Sequence, residues 1–96
     1  MILRICDNGN EQIEPASSAR VDQVFAPDAP ISDGTEITVA DGDRWLTAMA
    51  VGQAGTPTEL LLSGADGETA TVSGIAPRSE ALRLFREFMA STGSLR

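Results

Sequence analysis

Fourteen aspartates and glutamates, seven arginines, and not one histidine, lysine or tyrosine set the limits of what this chain can do chemically. Carboxylates are the only groups present in number that could move protons at neutral pH. Paired carboxylates act as general acid and base, or hold hard cations. The candidates are Asp7, Asp41, Asp43, Asp66 and Glu68. All of them fall in expected turns, with no signal of an apolar pocket that would perturb them. The "DGD" at Asp41–Asp43 resembles a fragment of a calcium loop, but it lacks the D-x-[DN]-x-[DN]-G-x₅-E spacing. Asp-Gly between alternating runs is better explained as hairpin chemistry.

The missing residue types exclude more. Without histidine there is no Ser-His or Cys-His pair. Without lysine there is no phosphate-binding Walker loop, no Schiff base and no Ser-Lys pair. The single cysteine, Cys6, leaves a zinc site short of N and S ligands, and no GxGxxG occurs. The expectation is a protein that is not an enzyme, with no catalytic residues, no cofactor and no metal.

Charge gives a second constraint. The net charge is −7. Nucleic acids and anionic membranes both select cations, so neither is expected as a partner. From Asp7 to Asp43 there are nine carboxylates against the single Arg20, and from Arg44 onward there are five of each sign. Asp28, Asp33, Glu36, Asp41 and Asp43 place five carboxylates within sixteen residues, with no cation among them. Solubility accounts for a generally acidic surface. Such local density, on loops and turns that can reach outward, marks these five as the candidate contact region for a basic partner.

The elements that must carry these residues follow from periodicity. "ILRIC" at 2–6 reads as a strand and "DNGN" as a turn. "EPASSARVDQVFAP" reads as a short helix, with Pro15 in its first turn, Val21, Val24 and Phe25 as its stripe, and Pro27 as its stop. Two hairpins follow, "EITVA" with "RWLTAMAVG" and "ELLLSG" with "ETATVSG", joined by a flexible "GQAGTP". A two-residue Asp41-Gly42 loop would put Arg44 opposite Val39. A three-residue Asp41–Asp43 loop is therefore expected, with Ile37, Val39, Trp45, Met49 and Val51 on one face. The same reasoning at Ala65–Gly67 groups Leu60 and Leu62 with Ala70 and Val72. Leu46, Ala48, Ala50 and Leu61 then fall on the other face, covered by the first helix, by a loop or by a partner.

The last element is the clearest. In "PRSEALRLFREFMASTG" a stripe of Ala81, Leu82, Phe85, Phe88 and Met89 recurs at helical spacing. Pro77 starts the helix, Gly93 ends it, and Arg78, Arg83 and Arg86 are expected on its solvent side. The fold class is thus α+β, one domain over 1–96. It comprises an antiparallel sheet of four to five strands, as two hairpins in a meander, packed by a C-terminal amphipathic helix and accompanied by a short N-terminal one. Apolar runs fall short of the ~20 residues of a membrane span, no secretory signal is read at the N-terminus, and Cys6 is expected as a buried thiol. Together these favour the cytoplasm.

Residues 35–93 resemble the C-terminal half of the Immunity protein 1 family of bacterial polymorphic toxin systems. The resemblance lies in "DGDRWLTAMAVG" and "ELLLSGADGETA" as hairpins, then "GIAPRSEALRLFREFMASTG". Within the helix Ala81 and Leu82 match the core positions, Phe85 and Phe88 the aromatic ones, and Ser91-Thr92-Gly93 the ending. Many members continue into a Trp-containing segment, whereas this chain ends at Arg96. The resemblance implies neutralisation by binding. The partner would be a cognate toxin, a nucleic-acid deaminase or nuclease with a basic active-site cleft, and the protein alone would be a monomer or small homo-oligomer. A small acidic secretion chaperone or effector-docking protein, acting as a homodimer, fits the same size, charge and α+β pattern.

Overall fold

A computed structural model of the chain describes residues 1–26, 29, 31–50 and 59–93. The first turn is tighter and more consequential than its sequence suggests. Asn8 and Gly9 both take positive φ, 51° and 85°. This is the sign pattern of a two-residue type I′ turn, whose twist matches that of paired strands. It folds β1 (Ile2–Asp7) back onto β2 (Asn10–Pro15), Asp7 opposite Asn10 and Ile2 opposite Pro15. The segment expected to begin a helix at Glu14 and Pro15 is instead the end of this strand. Helix α1 (Ser18–Val24) begins only after Ser17, whose Oγ accepts from the Arg20 backbone N–H at 3.2 Å.

Four further strands complete the sheet. They are β3 (Glu36–Asp41), β4 (Arg44–Met49), β5 (Glu59–Asp66) and β6 (Thr69–Pro77), and helix α2 (Arg78–Gly93) follows directly. The sheet is antiparallel throughout, in the order β2-β1-β3-β4-β5-β6. The class is α+β as expected, but with six strands in place of four to five. The extra strand is the polar "NEQIEP", which lies at the sheet edge and has no apolar alternation to betray it.

The hairpin registers also correct the expectation. Asp41 pairs with Arg44, so the loop is Gly42-Asp43, and Gly42 has φ 65°. Asp66 pairs with Thr69, so the second loop is Gly67-Glu68, again with φ 65° at the glycine. A left-handed residue at the first of two central positions is the type II′ pattern. Val39 therefore faces Leu46, and Ile37 faces Ala48. Trp45 and Met49 lie on the opposite side from that expected for them, while Val51 and the "GQAGTP" link lie outside the described residues. Arg44 does share the core side. It is tolerated there because its guanidinium lies 4.6 Å from the Phe88 ring centroid and its Nε 3.9 Å from Asp66 Oδ2. In β6 a register shift opposite Gly64 and Ala65 leaves Thr71 as an extra residue. Leu60 and Leu62 consequently face Ala76 and Gly74, and Ala70 is exposed opposite Ala65.

Both helices contribute to one core. Leu3, Ile37, Val39, Leu46, Ala48, Leu60 and Leu62 come from the sheet, Val21 and Phe25 from α1 and its end, and Ala81 and Phe85 from α2. Phe25 and Phe85 meet edge to face, centroids 4.7 Å apart. Leu46, Ala48 and Ala50, expected on the second face, are buried here.

Arg78 is a further correction. Expected on the solvent side, it is 7% exposed, and its Nη1 donates to Ala26 O at 2.6 Å and Ala29 O at 2.9 Å. It ties the chain after α1 to the start of α2. Arg83 and Arg86 are exposed, as expected.

Candidate functional site

The acidic residues separate into two groups. Pairing of β4 with β5 places Arg44 opposite Asp66, so the two type II′ turns lie at the same end of the sheet. The Gly67 N–H donates to Asp43 O at 3.1 Å and ties one turn to the other. Asp41, Asp43, Asp66 and Glu68 thus converge on one end. Asp43, Asp66 and Glu68 are exposed and Asp41 is half-buried. Asp33 and Glu36 lie at the other end of β3. Glu36 and Asp41 are five residues apart, about 17 Å along a strand. Asp28 lies outside the described residues. Of the five carboxylates singled out from the sequence, then, the fold brings Asp41 and Asp43 together and sets Asp33 and Glu36 apart from them.

Asp66 and Glu68 join Asp41 and Asp43 although some twenty-five residues separate them in the chain. The signal that could have found them is the repeated Asp-Gly turn: two hairpins of a meander with adjacent inner strands must point those turns the same way.

Side-chain ionisation follows local pairing. Arg83 donates to both Glu80 and Glu87 on the exposed side of α2. The hydrogen bond from Arg83 holds the Glu80 carboxyl below its usual range, and the same partner raises Arg83. Glu11 raises Arg4 in the same way at the β1–β2 pair. Arg20 donates to Glu14 at 2.8 Å, and Arg86 donates to Asp22 at 2.7 and 2.9 Å, joining α2 to α1.

The second feature is the sheet face that no helix among the described residues covers. Paired residues share a face, so the register lays three rows across it. Near the acidic end run Pro15, Ile2, Ala40, Trp45, Ala65 and Ala70. The middle row is Ile13, Arg4, Thr38, Thr47, Ser63 and Ser73, with Thr38 and Thr47 hydroxyls 2.9 Å apart. The third is Glu11, Cys6, Glu36, Met49, Leu61 and Ile75. Ile2, Ile13, Trp45, Leu61 and Ile75 are 42, 56, 38, 38 and 70% exposed. Cys6, expected buried, is half-buried here, between the Glu11 and Glu36 positions.

Among the described residues, grooves lie between helices and sheet. One of about 260 Å³ is lined by Ile5, Asp7, Arg20, Val24, Ile31 and Thr35, where the Thr35 hydroxyl is 3.2 Å from Asp7 Oδ1. The other, about 290 Å³, is lined by Arg44, Asp66, Val72, Leu84, Glu87 and Phe88. Both are below the usual range for small-molecule sites, about 300–1,000 Å³. Among the described residues no group of three or more His, Cys, Asp or Glu side chains is placed to hold a metal ion. Among them, too, no helix is long and apolar enough to cross a membrane.

Comparison with protein-family models, with curated proteins and with solved structures finds no match to this chain.

Proposed function

We propose that this protein acts by binding another protein, as a bacterial cytoplasmic immunity protein that occupies the basic cleft of a toxin acting on nucleic acid. The observation that carries the reading is the acidic end, where two hydrogen-bonded turns hold Asp41, Asp43, Asp66 and Glu68 on adjacent hairpins. A toxin that grips nucleic acid needs a cationic groove. Carboxylates held in fixed positions compete for that groove and speed the encounter. The strands behind the turns pack into the core, so the carboxylates are presented on a rigid support. The resemblance of residues 35–93 to the immunity family supports the same role.

The test is co-expression with the product of the gene immediately upstream. If the reading holds, that product arrests growth alone, this chain restores growth, and the two proteins purify together. An upstream product that is harmless, or one whose toxicity this chain leaves unchanged, would sink it.

The second reading, a small acidic secretion chaperone or effector-docking homodimer, is favoured by a different observation. Its support is the open sheet face, with its exposed isoleucines, Leu61 and Trp45.

A further inference from the structure

We propose that the open face of the sheet is where a second copy of this chain docks, forming a face-to-face dimer around Trp45, Met49, Leu61 and Ile75.

Charge is the first argument. The chain carries net −7, so two copies repel unless they meet where carboxylates are absent. On the open face that condition is met along β4 and β6. Its side chains from β4 and β6 are Trp45, Thr47, Met49, Ala70, Ser73 and Ile75, none of them ionisable. The charges that do reach this face, Arg4, Glu11, Glu36 and Glu59, lie toward the β1–β2 side or the end remote from the acidic turns, and Arg4 is paired with Glu11. A basic partner would find no counter-charge on β4 and β6, whereas a second copy finds an uncharged surface like its own.

Area is the second argument. Strands spaced about 4.8 Å apart and roughly 20 Å long give six of them a face of some 500–600 Å². Two such faces together, the charged margin on β1–β3 and Glu59 included, remove on the order of 1,100 Å² from water, which reaches the threshold of a specific interface at its weak, reversible end. A weak, reversible dimer is the expected outcome.

The edges are the third. Edge-to-edge pairing is the rival geometry, and both edges are blunted. β2 carries Glu11 and Glu14 and ends in Pro15, and β6 carries the Thr71 bulge and Gly74 at φ 137°. The face is left as the surface that pairs without distortion, in the manner of two stacked sheets about 10 Å apart.

Pairing here leaves the acidic turns at the rim, so it holds or fails independently of the toxin reading. The salt response separates the two. A dimer of like-charged copies tightens as salt rises, whereas an acidic end held in a basic cleft loosens.

The experiment is sedimentation equilibrium of the full chain from about 1 to 300 µM, at low and high salt, with the emission of the single tryptophan followed in parallel. The expected result is a reversible dimer, favoured at high salt, whose formation shifts Trp45 emission to the blue. Leu61→Glu and Ile75→Glu, each at an exposed position, are expected to raise the dissociation constant at least tenfold with an unchanged thermal melt. Leu61→Ala and Ile75→Ala are expected to raise it less. A chain monomeric across the whole range overturns the proposal. So does a dimer that all four variants leave intact, which would place the contact elsewhere.

Discussion

Phe85 shows how much a single residue can be read from sequence. Its place in the stripe of α2 marks it as core, and the structure buries it completely against Phe25. Phe85→Ala is expected to lower stability by about 3–5 kcal/mol, through lost transfer energy and the cavity left behind; a chemical-denaturation midpoint unchanged within error would show that the stripe is not central. Arg78 could not be read in the same way. An arginine at a helix start looks solvated, and what buries it is the Ala26 and Ala29 backbone, about fifty residues earlier in the chain. Removing that guanidinium strips two carbonyls of their donor. Arg78→Ala is expected to cost on the order of 2 kcal/mol or more, with the loss showing as a lower melting temperature and faster amide exchange around residue 31. A melt matching the unmodified protein would mean that water replaces the arginine without loss.

Elements were legible where their period was strong and illegible where turn chemistry decided. The α2 stripe spans several turns of helix, and no other element competes for it. For the β3–β4 hairpin the sequence reading weighs an Asp41-Gly42 and an Asp41–Asp43 loop, and the structure takes a third, Gly42-Asp43. The expected one avoided burying Arg44 with apolar residues, but the Phe88 ring and Asp66 supply what Arg44 needs on that side. Since a one-residue slip turns every side chain over, accommodating Arg44 on the core side goes with a different set of residues on each face. Strand β2 was hidden because an edge strand of polar residues has no alternation to display, and Asn8-Gly9 alone announced it. Turn chemistry also yields a test of the acidic end. Gly67 has φ 65°, and a Cβ there would lie 3.3 Å from Asp43 Oδ2. Gly67→Ala is expected to destabilise by about 1–2 kcal/mol and to displace the Asp43 carboxylate; a variant as stable as its parent would show that the turn tolerates an L-residue. The exposed face of α2 should respond to acid. The Glu80 pKa lies below its unfolded value because Arg83 donates to the charged form. Its contribution is therefore complete at neutral pH and disappears as pH falls through the folded value. Glu80→Gln should lower the melting temperature slightly at pH 7, and the difference should shrink as the pH falls into the acid range; a difference that stays constant would refute the pairing.

At the scale of the molecule, one sheet supports two unlike surfaces. Its covered face supplies the core, and its bare face is neutral and apolar toward β6. The turns at one end concentrate acid. The sequence revealed the acid but not where it collects, because Asp41 and Asp43 lie far from Asp66 and Glu68 in the chain and adjacent only in the meander. Of the residues the sequence assigns to the second face, Leu61 lies on the bare one, whereas Leu46, Ala48 and Ala50 are buried because the hairpin register differs from that expected. Charge held on rigid turns should act mainly through encounter rate, and so depend steeply on ionic strength. The direct test is association of this chain with the upstream gene product across a salt series, for the native protein and for one carrying Asp41→Asn, Asp43→Asn, Asp66→Asn and Glu68→Gln together. Native association should be fast and slow steeply with salt, and the neutralised chain, folded as before, should associate at least tenfold more slowly with a flattened salt response. Equal rates and equal salt slopes for the two would contradict the claim that this end meets the partner.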